Sequence, residues 1–160
     1  MRELLLLRHA EAQPARPDLP DFDRRLTARG RAQARQAARR LAAAAARPGV
    51  LLASPAARTR ETAEIVAAGI GYAGGIRQPP ALYLASAPVL LSALRGCEDE
   101  VPTLLLVGHN PGLCALAREL AQALLGGTLE LGLGALCRLT VDVPAWRELT
   151  AQAVSAVSLL

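Results

Sequence analysis

The chain has no lysine; all 18 of its basic residues are arginine. It is nearly without flat rings as well, holding two Tyr, one Trp and one Phe in 160 residues. So few aromatics leave no stacking platform for single-stranded nucleic acid, and the core has to be built from Leu, Ala and Val. The three cysteines, Cys97, Cys114 and Cys137, form an odd set with no paired spacing. That argues against a disulfide framework and makes a reducing cytoplasm the expected compartment. No apolar run has the length of a membrane span, and the N-terminal run is too short for a signal peptide, so no membrane partner is expected. Only two histidines are present.

What is there reads as a folded protein. Hydrophobic residues make up 52% and charged residues 20%, the balance of a globular chain with a real core. The length fits one domain spanning residues 1–160. The net charge of +4 invites a nucleic-acid reading, and eight arginines fall between Arg24 and Arg47. They are spread round an Ala-rich helical segment, and no nucleic-acid-binding motif accompanies them, so a solvated helix face explains them better. No nucleic-acid partner is expected. The all-arginine usage, with the alanine excess, reads as a trace of GC-rich coding.

Near the start stands Glu3-Leu4-Leu5-Leu6-Leu7-Arg8-His9-Ala10-Glu11. An apolar run followed by Arg-His reads as a buried parallel strand whose carboxyl end carries polar groups. Pro14, Pro17 and Pro20 soon after favour a strand emptying into a loop over a helix. Thr103-Leu104-Leu105-Leu106-Val107-Gly108-His109-Asn110-Pro111 has the same form. Both histidines of the chain therefore fall at strand exits, where ligands bind in open α/β sheets.

Between these runs the chain alternates. Thr27 is a plausible N-cap for a helix to about Ala46, although Gly30 weakens its first turn. Val50 to Ala53 is a short strand, with Ser54-Pro55 as N-cap and first residue of a helix to about Ala68. A short strand near Ile76-Arg77 and a helix from Ala87 to Leu94 follow. Asn110-Pro111 repeats the cap signal for a helix to about Leu125, which Gly126-Gly127 would end. Ala135 to Val143 and Ala153 to Leu160 look like an antiparallel pair at one sheet edge. The expected fold is α/β, a three-layer αβα sandwich with a mostly parallel sheet and an antiparallel edge.

In such a sheet Arg8, His9, Arg58 and His109 converge. Guanidinium forks match phosphoryl oxygens, and helix N-termini after Ser54 and Asn110 would add N–H groups, so the pocket suits a phosphate. Asn110 joins Arg8, Arg58 and His109 as an expected phosphate-binding residue.

Leu7-Arg8-His9-Ala10, the stretch from Ser54 to Ala63 (Ser-Pro-Ala-Ala-Arg-Thr-Arg-Glu-Thr-Ala) and Val107-Gly108-His109-Asn110-Pro111 resemble the three signatures of the histidine phosphatase, or phosphoglycerate mutase-like, superfamily. The segment Asp23 to Gly30 and Leu82-Tyr83 extend the likeness. Small size and the Arg-His-Ala variant look most like SixA-type phosphohistidine phosphatases. The resemblance implies a phosphoglycerate mutase-like fold, with His9 as nucleophile, transiently phosphorylated, and Arg8, Arg58 and His109 holding the phosphoryl oxygens. It implies no metal and no cofactor. His9 must be neutral to attack, and neighbouring arginines push its pKa that way. A hydrogen bond at Nδ1, from a partner the sequence does not name, would leave Nε2 to attack.

Two departures shape the reading. Ala10 stands where many relatives have Gly, as in the SixA-like branch. Larger relatives supply a carboxylate acid after the second signature, yet from Ile65 to Cys97 there is no Asp or Glu, and Glu98, Asp99 and Glu100 fall at the remote end of the next strand. An ester's leaving alkoxide needs a proton, whereas an imidazole needs much less help, so a phosphohistidine-bearing protein is the favoured partner. Glu11 or Asp23 could still reach the site. A small phosphorylated substrate such as a sugar phosphate, or a non-catalytic phosphate-binding module, stands as the rival. A zinc site is disfavoured, since His9-Ala10-Glu11 lacks a following Pro-Cys-x-x-Cys and His109 with Cys114 lacks ligand partners. Arg24, Arg25 and Arg60 are expected at the surface, outside the site. The sequence leaves the oligomeric state open.

Overall fold

The computed structural model describes residues 1–124 and 128–160. Its strands are β1 (Arg2–Arg8), β2 (Val50–Ala53), β3 (Ile76–Arg77), β4 (Thr103–Gly108), β5 (Leu136–Val141) and β6 (Val154–Leu159). Its α-helices are α1 (Ala28–Ala43), α2 (Ala57–Ile70), α3 (Ala87–Arg95) and α4 (Gly112–Ala121). The strands form one sheet in the order β3-β2-β4-β1-β5-β6. The pairs β3–β2, β2–β4 and β4–β1 are parallel. β5 runs antiparallel to β1, and β6 antiparallel to β5, the expected edge.

The leucine runs explain the layering. Side chains alternate between the faces of a strand. Leu4 and Leu6, with Leu104 and Leu106, pack against Leu90 and Leu94 of α3 and Leu116 and Leu120 of α4. Leu5 and Leu7, with Leu105 and Val107, pack against Ala37 and Leu41 of α1 and Ala63 and Val66 of α2. Leu4 to Leu7 have no exposed surface, and burying each leucine stabilises the fold by roughly 1.5–3 kcal/mol. The fold is therefore α/β with helices on both faces. Trp146 is fully buried, and its indole N–H donates to the Val101 carbonyl at 2.7 Å.

Three local details fix the ends of α1. Thr27 caps it as expected, its hydroxyl oxygen accepting from the Gly30 N–H at 3.0 Å. Gly30 is there for space: a Cβ would lie 1.9 Å from the Glu11 carbonyl oxygen, because the helix start abuts the chain leaving β1. The helix stops at Ala43, short of Ala46, where Ala45 turns the backbone left-handed with φ 52°. The Ala46 N–H then donates to the Leu41 carbonyl at 3.0 Å. α4 ends at Ala121, and the stretch expected to close it, residues 125–127, lies outside the described residues. Among the described residues no helix is long and apolar enough to cross a membrane.

Candidate active site

β1 and β4 are parallel neighbours with Arg8 opposite Gly108, so the next residue of each chain, His9 and His109, emerges at the same end of the sheet. Their ring centroids lie 5.2 Å apart, with the planes at 61°. Both rings are buried. Arg8, His9, Arg58, His109 and Asn110 line one hollow of about 340 Å³, the convergence the sequence predicts.

His9 Nδ1 lies 2.8 Å from the Ala10 carbonyl oxygen. A carbonyl oxygen only accepts, so Nδ1 carries the proton and Nε2 keeps its lone pair. The partner the sequence could not name is thus the backbone of the next residue. Burial, with the charges of Arg58, Arg8 and Arg24, lowers the His9 pKa to about 4 against the opposing Ala10 bond. The ring is neutral at pH 7. The Ala10 N–H donates to Thr62 Oγ1 at 3.1 Å, and that hydroxyl donates to the Arg58 carbonyl at 2.7 Å.

His109 Nε2 lies 2.7 Å from Ser54 Oγ, while its Nδ1 is buried without a partner. Ser54 Oγ accepts from the Ala56 N–H at 3.4 Å and keeps both its hydrogen and a second lone pair, so it can serve either tautomer of the ring. When the hydroxyl gives its hydrogen to Nε2, Nδ1 is an N–H donor, the tautomer that suits an anion. Burial, then the charges of Arg58 and His9, lower this pKa to about 3. Ser54 is therefore not the cap the sequence suggested: α2 starts at Ala57 behind Ala56, with no side-chain cap. α4 likewise starts behind Pro111, and Asn110 Nδ2 donates to the Leu131 carbonyl at 2.9 Å, leaving Oδ1 buried without a partner.

Arg58, 3% exposed, is held from outside the signature that contains it. Its guanidinium donates to the Asp21 carbonyl at 2.7 Å and to Asp21 Oδ2 at 3.0 Å. Tyr83 donates its hydroxyl to the same carboxylate oxygen at 2.6 Å, and Arg24 bonds Oδ1 at 2.7 Å. These donors, with the Tyr83 bond foremost, hold the Asp21 carboxyl well below the usual carboxylate range. The Tyr83 ring also meets His109 edge-on at 5.8 Å. Arg8 donates to the Leu131 carbonyl at 3.0 Å, and its Nε is buried without a partner.

Other expectations divide. Arg24 belongs to the hollow, contrary to the surface reading, because the loop after β1 folds back over α2. Arg25 and Arg60 border a separate hollow beside α2. Glu11 lines the site, accepting the Thr27 hydroxyl at 2.7 Å, whereas Asp23 is exposed. Glu98 pairs with Arg77, and Asp99 accepts from the Trp146 N–H at 2.8 Å, at the far end of β4. Among the described residues no three His, Cys, Asp or Glu side chains gather as a metal site would need. Sequence reasoning missed Asp21, the use of Ser54, and Thr62. The latter two lie inside the quoted second signature; Asp21 carries no periodic signal.

The model of the histidine phosphatase superfamily (branch 1) matches residues 4–82. A solved candidate phosphohistidine phosphatase SixA from Agrobacterium tumefaciens is 32% identical, with a TM-score of 0.77 over 88% of this chain and 92% of that one. A second, from Nakamurella multipartitia, gives a TM-score of 0.82 at 29% identity over 98% of this chain and 95% of the other. An uncharacterized protein of Mycobacterium leprae is 34% identical over 117 residues, 71% of this chain and 70% of that protein.

Proposed function

The chain belongs to the histidine phosphatase superfamily and is a phosphatase, and from that premise we propose that it removes the phosphoryl group of protein phosphohistidine through a covalent intermediate on His9. The observation that carries the mechanism is the His9 ring: neutral, fixed through Nδ1 to the Ala10 carbonyl, with Nε2 free beside two arginines. In the reaction Nε2 attacks phosphorus as the substrate's P–N bond breaks. The leaving imidazole takes that bonding pair and departs neutral, its other nitrogen carrying a proton. Water then cleaves the new P–N bond, releasing phosphate and neutral His9. Arg8, Arg58 and the Nδ1–H of His109 oppose the charge on the phosphoryl oxygens, with Asn110 as a further contact. With that charge supplied by guanidinium groups, catalysis is expected to proceed without a metal or cofactor.

The substrate class follows from the carboxylates. Asp21 is held ionised by Tyr83, Arg24 and Arg58, so it has no proton to give. Glu11 accepts from Thr27 and lies 3.7 Å from Arg29. A site without a ready acid favours a leaving imidazole over a leaving alkoxide. The buried free thiols of Cys97, Cys114 and Cys137 fit a reducing cytoplasm, where proteins phosphorylated on histidine are the partners.

The test is a turnover panel of phosphohistidine proteins, free phosphohistidine and alkyl and aryl phosphates, with and without chelator. Preference for the phosphohistidine substrates, and an acid-labile, base-stable phosphoryl group on His9 in quenched enzyme, are the expected results. A phosphoserine, a chelator-sensitive rate or a preference for alkyl esters overturns the reading.

A further inference from the structure

We propose that the rim of the hollow is a docking surface for a protein whose phosphorylated histidine is flanked by apolar side chains, with Leu84 and Leu133 as the residues that select it. This rests on the phosphohistidine reading above and specifies the surroundings the substrate residue must have. Leu84 is 56% exposed and Leu133 38% exposed, and both line the hollow. Phe22, also left in solvent, meets the Tyr83 ring edge-on at 5.1 Å, next to Leu84 in the chain. These apolar groups come from separate segments: the loop after β1, the turn before α3 and the approach to β5. A cluster of exposed large hydrophobics round a charged centre marks a contact surface, whereas scattered ones need no explanation.

The backbone holds both leucines out. Leu84 adopts φ 48°, the left-handed region in which Gly or Asn sits without strain and Leu does not. Strain kept at a pocket mouth points to use of the side chain that it displays. Its neighbour Tyr83 is tied to Asp21, which holds Arg58. Leu133 precedes Gly134, whose N–H donates to the His9 carbonyl at 3.1 Å. Each leucine is thus fixed to one of the groups that meet the phosphoryl.

Charge selects the occupant. Inside the rim stand Arg8, Arg24 and Arg58, with Glu11 opposing them. The complement is an anionic centre surrounded by apolar surface. A small hydrophilic phosphate fills the centre and leaves the leucines wet. A histidine side chain on a protein carries phosphorus away from its own backbone, so neighbouring apolar side chains of that protein can reach the rim and bury it.

The test compares the full chain with Leu84→Ser/Leu133→Ser on histidine-phosphorylated proteins, free phosphohistidine and phenyl phosphate. Expected is a loss of about tenfold or more in kcat/KM on the best protein substrate, carried by KM. Free phosphohistidine should lose clearly less than the protein, about threefold or less, since it has no flanking apolar side chains to bury the rim. A single Leu84→Gly variant, relieved of the left-handed strain, should melt no lower than the parent and still lose protein turnover. Equal losses on free and protein substrates, no loss on protein, or a loss confined to phenyl phosphate each overturn the proposal. A parent enzyme that hydrolyses phenyl phosphate but no form of phosphohistidine sinks the substrate reading itself, a result distinct from all of these.

Discussion

The two ends of the sheet treat charge in opposite ways. At the amino end of β1 and β4, charged groups meet protein partners, with Arg138 Nε the one buried atom left without a partner. The Arg2 guanidinium donates to the carbonyls of Val101, Val143 and Pro144, Glu3 meets Arg138, and Asp99 meets Arg147. At the carboxyl end polar groups are left over: Arg8 Nε, His109 Nδ1 and Asn110 Oδ1 are buried without partners, and both imidazoles are kept from protonating. A buried unmatched polar group costs about 1–3 kcal/mol, and the three gathered at the carboxyl end stand where a ligand can recover that loss. One seven-residue strand, β1, thus begins in structure and ends in chemistry.

That contrast can be broken from either side. His9→Ala should cut turnover on the order of 10⁴-fold or more while leaving the melting temperature nearly unchanged, with residual activity indifferent to chelators. An active His9→Ala enzyme would remove the carboxyl end from the chemistry altogether. Asp21→Ala, which removes the carboxylate from Arg58 and leaves only the main-chain carbonyl bond, should lower kcat/KM by about 10²-fold through misplacement alone. Asp21→Asn should recover part of that loss, because an amide oxygen can still accept from Arg58. If both variants match the parent, Arg58 needs no carboxylate anchor beyond the Asp21 main-chain carbonyl.

A smaller effect is expected from pH. With the folded pKa of His9 near 4, the acid limb of kcat/KM should lie near pH 4, so falling from pH 6.5 to 5 changes the rate little on a substrate whose own ionisation has been accounted for. Stability should move more. Unfolded histidines bind protons near pH 6.5, the folded ones only near 4 and 3, so the unfolded state binds more protons between these values. Stability is therefore fully present above about pH 6.5 and declines as pH falls toward 4. Urea titrations across that range check the slope, and an Asn at position 109 should flatten it. Smallest on activity is Arg2→Ala at the matched end: kcat/KM within about twofold, with stability lower by about 1.5–3 kcal/mol for its lost charge-assisted bonds. Impaired chemistry in that variant would show that the ends are not independent.

Most of the frame was legible because its signals are local. Leu4 to Leu7 and Leu104 to Val107 are continuous apolar runs, and burial on both faces of the sheet demands that pattern. The placement of His9 and His109 followed from parallel pairing of those two runs. What was hidden depends on chain folding back on itself. Asp21 sits in a Pro- and Asp-rich loop and reaches an arginine 37 positions away. Ser54 presents a helix-cap signal, yet its hydroxyl serves His109, and only the three-dimensional position of that ring decides between the two uses. The partner of His9 Nδ1 is a main-chain carbonyl, which no side-chain pattern can announce. Arg24, which bonds Asp21 in the same loop, is hidden from the sequence for the same reason.

The two peptide groups that flank Ala10, with the Thr62 hydroxyl, join the two halves of the apparatus. Through them the bearing of the attacking nitrogen is gauged against the helix that delivers the guanidinium, so neither can drift without pulling on the other. Thr62→Val would keep the shape and cut the thread: a protein of the same fold, less stable by about 1–3 kcal/mol for the orphaned Ala10 N–H, whose nucleophile and anion clamp no longer keep time.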